Sequence, residues 1–287
     1  MKSFPIFIFL ILFVLPTKSQ TITGKVTDAV TGEPLVYVSI GVMTTTIGTI
    51  TDEKGNFNLE INEKPIGALV RFSMIGYKAQ TFSVAELSDK ENIIKLKVDP
   101  VQLAKVDIKF GKIKKVGNTK YSRFSGVCGW GGTDFGKGHE IGTIIDLGSE
   151  PSQLLSLHIR VHEQSFDSTL LRLHIRDVID SLPNNELLSE SVLLVLTEKS
   201  GWVDIDLIEY KIVLSGEIAL TLEWLKVIGV YEDRYIKTKT EGVISIGPKI
   251  LFSTKGKPGW LYIKRGSEGK WRLINEQKPS FYLTVQE

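Results

Sequence analysis

The sequence predicts an all-β protein built from two sandwiches. Three observations carry this. Apolar and polar residues alternate over short runs, turn-forming Gly, Pro, Asp and Asn separate those runs, and no segment past residue 19 holds an amphipathic helical period. A period of two with one apolar face is what a strand packed on one side requires.

Taken in order, the chain opens with Lys2, an apolar run from Phe4 to Pro16, and the small residues around Thr17-Lys18-Ser19. This is a secretory pattern, with cleavage expected after Ser19 and Gln20 as the mature N-terminus. The run falls short of the ~20 residues that spanning requires, and no transmembrane segment is expected after it. Removing Lys2 and Lys18 from the 35 basic residues leaves 33 against 33 acidic ones. A balanced charge argues against nucleic acid or an anionic membrane surface as the main partner. Cys128 is the single cysteine, so no intrachain disulfide can form.

Residues 20–99 read as the first sandwich. Ile22, Gly24 and Val26 share one strand face, and the alternation returns in Val36-Val38-Ile40-Val42, Phe57-Leu59-Ile61, Val70-Phe72-Met74 and Ile94-Leu96-Val98. Thr31-Gly32-Glu33-Pro34 punctuates the first connection, because Gly32 tolerates positive φ and Pro34 stops a helix. Asp52-Glu53-Lys54-Gly55-Asn56 reads as a hairpin turn, with Asp52 bonding nearby backbone and Gly55 in the left-handed position. Its oxygen ligands are too few for calcium.

The ordered series G-K-V-T-D, T-G-E-P-L, G-T-I-T-D-E-K-G-N-F and F-S-M-I-G-Y, from Gly24 to Tyr77, resembles the carboxypeptidase regulatory-like (carboxypeptidase D regulatory-like) domain. The resemblance implies a seven-stranded Greek-key sandwich of transthyretin-like type, and that family also occurs as an N-terminal extension on TonB-dependent outer-membrane transporters. It implies no peptidase activity. The chain carries no H-x-x-E zinc pair, and His139-Glu140 has no second histidine at helical spacing.

Residues 100–123 read as a basic linker, and residues 124–287 as a larger, jelly-roll-like sandwich of eight to ten strands. Leu182-Pro183-Asn184-Asn185 is expected in a long loop. Leu157-His158-Ile159-Arg160 and Leu173-His174-Ile175-Arg176 repeat one tetrapeptide. Were these segments neighbouring strands, His158, Arg160, His162, His174 and Arg176 would share one outward face suited to an anionic group. Metal is not expected, since His158 and His162 lie ~13 Å apart on an extended strand.

Trp202, Trp130, Trp260 and Trp271 are candidates for stacking on sugar rings, with Trp130 expected in a Gly-rich loop. Trp224 alternates with Ile218, Leu220 and Leu222 and is expected in the core. Cys128 reads as a buried, inert thiol. Asp204, Asp206 and Glu223 are the carboxylates a glycan hydrolase would need.

The function these readings support is a non-enzymatic, exported binding or scaffolding module of the periplasm or outer membrane. Glycan or an envelope protein is the expected partner, and no catalytic residue or cofactor is implied. A structural partner of an outer-membrane uptake system is the alternative, ahead of a glycan hydrolase.

Overall fold

A computed structural model describes residues 20–61, 67–87, 91–99, 111–121, 126–131, 137–229, 234–238, 242–246, 249–256, 260–275 and 277–287. The expected secretory segment and most of the expected basic linker lie outside these residues.

The first sandwich runs through β1 (Gln20–Asp28), β2 (Ser39–Val42), β3 (Gly48–Ile50) and β4 (Asn56–Ile61). It continues with β5 (Leu69–Ser73), β6 (Tyr77–Lys78), β7 (Gln80–Ser83), the short α1 (Val84–Leu87) and β8 (Asn92–Val98). One sheet has the order β4-β1-β8-β6 and the other β3-β2-β5-β7. Only Ala79 separates β6 from β7, so one extended segment changes sheets there. Counted that way, the sandwich has the seven strands that the family resemblance implies. Ile22, Val38, Ile40, Leu59, Val70, Phe72 and Leu96 close its core.

The turn chemistry is as the residues suggest. Asp52 Oδ1 accepts from the Lys54 and Asn56 amides at 2.8 Å each, and Gly55 sits at φ 76°. Thr51, fully buried, donates to the Leu35 carbonyl at 2.7 Å and accepts from the Val38 amide at 2.8 Å.

The second sandwich begins with β9 (Ile113–Gly117), β10 (Val127–Gly131), β11 (Glu140–Asp146), β12 (Ser152–Gln164) and β13 (Ser168–Ile179). β14 (Leu182–Glu186), β15 (Val192–Leu196), β16 (Gly201–Asp206), β17 (Val213–Leu214) and β18 (Glu217–Ile228) follow. A hairpin of β19 (Arg234–Thr238) and β20 (Gly242–Ile246) precedes β21 (Lys249–Gly256) and β22 (Leu261–Lys264). β23 (Trp271–Ile274), β24 (Gln277–Pro279) and β25 (Phe281–Gln286) complete it. One sheet runs β10-β21-β12-β25-β9, with β16 and β17 also on β12 and β24 on β21. The opposing sheet runs β14-β13-β18-β11-β22-β23, with β15 also on β13. Leu157, Ile159 and Val161 from the first sheet and Leu171, Leu173 and Ile175 from the second enter one core. Trp130 meets Trp224 across it, edge to face at 5.5 Å.

Four expectations are corrected. The second sandwich starts inside the expected linker, because β9 pairs with β25. Leu182 to Asn185 is not a long loop: the segment pairs back onto β13 as β14, through a two-residue turn in which Asp180 and Ser181 take positive φ. Trp130 is not in a loop over a ligand but on β10, 6% exposed. The repeated tetrapeptides do not form one face, because β12 and β13 belong to opposing sheets.

The first sandwich packs on the outer face of the second sandwich's β13–β18 sheet, where Ser39 reaches Glu223 and Tyr37 reaches Arg172. Ala219, Thr221 and Glu223, which alternation along β18 assigns to solvent, are all buried.

Candidate functional site

Cross-strand register builds the site. Arg172 on β13 lies opposite Glu223 on β18, Glu223 opposite Glu140 on β11, Glu140 opposite Lys264 on β22, and Lys264 opposite Trp271 on β23. One row across five strands thus sets two adjacent carboxylates between two cations and ends on an aromatic ring. His174 and Arg176 follow Arg172 on the same face of β13, and Glu186 faces Arg176 from β14.

Arg172, 1% exposed, spends all its nitrogens on fixed partners. Nη1 donates to Glu223 Oε2 at 3.0 Å, Nη2 to the Tyr37 carbonyl at 2.5 Å, and Nε to Ser191 Oγ at 3.0 Å. Ser39 Oγ donates to Glu223 Oε1 at 2.8 Å. Tyr37 holds φ 59°, an unusual conformation for a residue with a side chain. The first sandwich thereby supplies a hydroxyl and a carbonyl to an ion pair rooted in the second.

Arg176 binds Glu140 bidentately, at 2.6 and 3.1 Å, and Thr221 Oγ1 donates to the same carboxylate at 2.7 Å. Lys264 Nζ lies 2.5 Å from Glu140 Oε1. Burial alone would raise Glu140, yet Arg176 and then Lys264 hold it well below the usual carboxylate range. Burial likewise opposes Glu223, and Arg172 followed by His174 brings it down to about 2. His174 places Nδ1 2.6 Å from Glu186 and Nε2 3.0 Å from Glu223. Both ring nitrogens must donate to satisfy two carboxylates, which is the imidazolium form. Burial and Arg176 push His174 down, and Glu140 and Glu186 outweigh them, so it lies above its ordinary value.

These residues form the wall of a cavity of about 450 Å³ between the sandwiches. Tyr77, Asn184, Asn185 and Ser267 also line it, and the Ser267 hydroxyl, on a residue 6% exposed, has no hydrogen-bond partner among the described residues. Trp271 reaches the rim with the Lys264 ammonium 5.1 Å and the Arg176 guanidinium 5.6 Å from its ring centroid. Every carboxylate along the row is held by cations, so none is poised as a proton donor or as a free base.

Of the candidate residues, His174, Arg176 and Trp271 come together here. His158, Arg160 and Trp202 lie on the outer face of the other sheet, across the core. Trp130 is in that core, and Trp260, 45% exposed, does not line the cavity. The hydrolase carboxylates do not converge either. Glu223 is sealed in its ion pairs, whereas Asp204 pairs with His158 and Asp206 accepts from the Ile208 amide at 2.8 Å. Glu140, Glu186 and Lys264 were not among the sequence candidates. Their only signal is cross-strand register, which needs the fold.

Cys128 is 7% exposed, and burial pushes its thiol up to about 12. Burial, then Arg265, lowers His139 to about 4. A thiolate–imidazolium pair is thereby disfavoured at both partners.

Residues 22–108 match the CarboxypepD_reg-like domain family. The chain is 41% identical over 96 residues to the TonB-dependent receptor SusC of Bacteroides thetaiotaomicron, a match covering 33% of this chain and 9% of that protein. It is 32% identical over 113 residues to the TonB-dependent receptor P3 of Formosa agariphila, covering 38% of this chain and 11% of that one. The chain thus matches only about a tenth of the length of these relatives. A solved structure of the cysteine protease and lectin-like domains of Cwp84, a surface layer associated protein of Clostridium difficile, aligns with 93% of this chain and 58% of its own. Identity there is 12% and the TM-score 0.36, too distant to bear on fold or function. The motif series, the seven-stranded sandwich and the family match agree: residues 22–108 form a CarboxypepD_reg-like domain, joined here to a larger β-sandwich.

Proposed function

We propose that this is an exported, envelope-associated binding module that takes a neutral glycan in the cavity between its sandwiches and holds it without transforming it. The observation that carries the reading is the charge balance of the wall. Arg71, Arg172, His174, Arg176 and Lys264 face Asp99, Glu140, Glu186, Glu223 and Glu268, so the charges cancel when His174 is protonated. A charged ligand would leave one buried group uncompensated, whereas a hydroxyl-rich neutral one can use Asn184, Asn185 and Ser267. The volume suits a mono- or disaccharide, and Trp271 offers an aromatic contact on its lining. The envelope setting rests on the secretory pattern and on the two receptor relatives.

Isothermal titration of purified protein against a panel of neutral and acidic oligosaccharides tests this. A neutral sugar is expected to bind, with Trp271→Ala weakening it about tenfold, ~1.4 kcal/mol. Binding confined to acidic sugars, or unchanged by Trp271→Ala, would overturn it. The receptor relatives also support a second reading, a structural partner of an outer-membrane uptake system. Cross-linking in intact cells that recovers no membrane protein would count against that one.

A further inference from the structure

On the far side of the second sandwich, three neighbouring strands bring together residues far apart in sequence. His158 on β12 lies opposite Asp204 on β16 and opposite Tyr282 on β25, and Ser156 lies opposite Thr284. All point to the outer face, because Leu157 and Ile159 between them enter the core. His158 Nδ1 is 2.5 Å from Asp204 Oδ1, and His158 Nε2 is 2.9 Å from Ser156 Oγ and 2.8 Å from Thr284 Oγ1. The ring is fixed by stacking on Tyr282, centroids 4.1 Å apart at 9°. Asp204 as a carboxylate accepts from Nδ1, which leaves the Nε2 lone pair facing the Ser156 and Thr284 hydroxyls, of which the primary alcohol of Ser156 is the less hindered nucleophile. This is the connectivity of hydroxyl, imidazole and carboxylate that activates a serine, and it is recognised by geometry rather than by sequence order.

We infer that Ser156 is an activated nucleophile for carboxylic esters, with His158 as its base and Asp204 as the residue that positions the ring. Its surroundings suit such a substrate. Ser156 is half-buried and Trp202, half-exposed, stands edge-on to Tyr282 at 5.2 Å and offers an apolar contact to an acyl group. Lys115, opposite Thr284 on the same face, holds its ammonium 5.3 Å from the Tyr282 ring centroid and would have to swing from there to meet a tetrahedral oxyanion. β12 carries a register shift between Leu154 and Ser156, the kind of irregularity that re-aims a side chain at a sheet surface. Ser156 Oγ attacks the ester carbonyl carbon, its proton passes to Nε2, and the alkoxide leaves with that proton. Water then attacks the acyl-serine, giving its proton to Nε2 and from there to Oγ, which releases the carboxylic acid. The site is independent of the interdomain cavity, so either reading can fail alone.

The test is a fluorophosphonate probe on the full-length folded protein, read by peptide mass spectrometry, with p-nitrophenyl acetate hydrolysis alongside. With the probe, the Ser156 Oγ–P bond forms as P–F breaks, the proton goes to His158 and fluoride departs. One adduct at Ser156 is expected, absent from Ser156→Ala and from heat-denatured protein. His158→Gln should slow labelling by at least ~100-fold. Asp204 is largely exposed, so Asp204→Asn should fold even if the histidine variant does not; it should slow labelling and alter its pH profile. No adduct, an adduct elsewhere, or equal labelling rates in wild type and Asp204→Asn would overturn the inference.

Discussion

At the residue scale the governing fact is that Arg172 and Glu223 are each 1% exposed and each depend on the other. Breaking such a pair from one side leaves a buried charge unmatched. Arg172→Met should therefore cost about 3–5 kcal/mol in urea unfolding, while Arg172→Met with Glu223→Leu should recover only part of it, because His174 and Ser39 then lose their acceptor. The same cluster sets a pH window. Glu223, brought down to about 2, contributes stability that is present above ~4.5 and lost as pH falls toward 2. His174, held above its ordinary value, contributes stability that is present below ~6.5 and lost as pH rises through its folded value. Thermal unfolding should peak between these limits, and His174→Gln should flatten the alkaline decline. Neither residue's role was readable locally. In sequence, Glu223 is a polar residue between Leu222 and Trp224, which any half-buried strand places toward solvent; Ser39, 184 positions away, is what turns that face into an interior.

At the element scale much was legible, because strands and turns are short-range. The alternation of Phe57, Leu59 and Ile61 fixed which face β4 buries, and Asp52 with Gly55 fixed its turn. Pairing partners were not legible. β12 and β13 carry the same tetrapeptide, yet they lie in opposing sheets, since identical side-chain patterns do not say which neighbour a strand takes. One pairing has a sharp test. β1 and β8 run parallel with Gly24 against Asn92, and a Cβ at Gly24 would collide with the Asn92 carbonyl oxygen. Gly24→Ala should cost about 1–3 kcal/mol in chemical denaturation, with the loss localised by faster amide exchange along β8.

At the scale of the whole molecule, the two sandwiches are joined by charge as well as by chain. Arg71 reaches Glu268 at 3.3 Å and the Thr44 amide reaches the Glu268 carbonyl at 3.0 Å, adding to the contacts of Ser39 and Tyr37. All five tryptophans follow residue 124, so tryptophan emission, excited selectively over that of Tyr37 and Tyr77, reports the second sandwich. If the interface couples the halves, Gly24→Ala in the first sandwich should shift the tryptophan transition in the second, and Ser39→Ala should shrink that shift. The buried thiol adds a different consequence. Cys128 lies on β10 at the end of its sheet, shielded and kept protonated, so no covalent tie between copies is available while the fold is shut. A maleimide pulse would then mark the chain only as that border peels away, which makes this atom a natural clock for the opening of the larger sandwich.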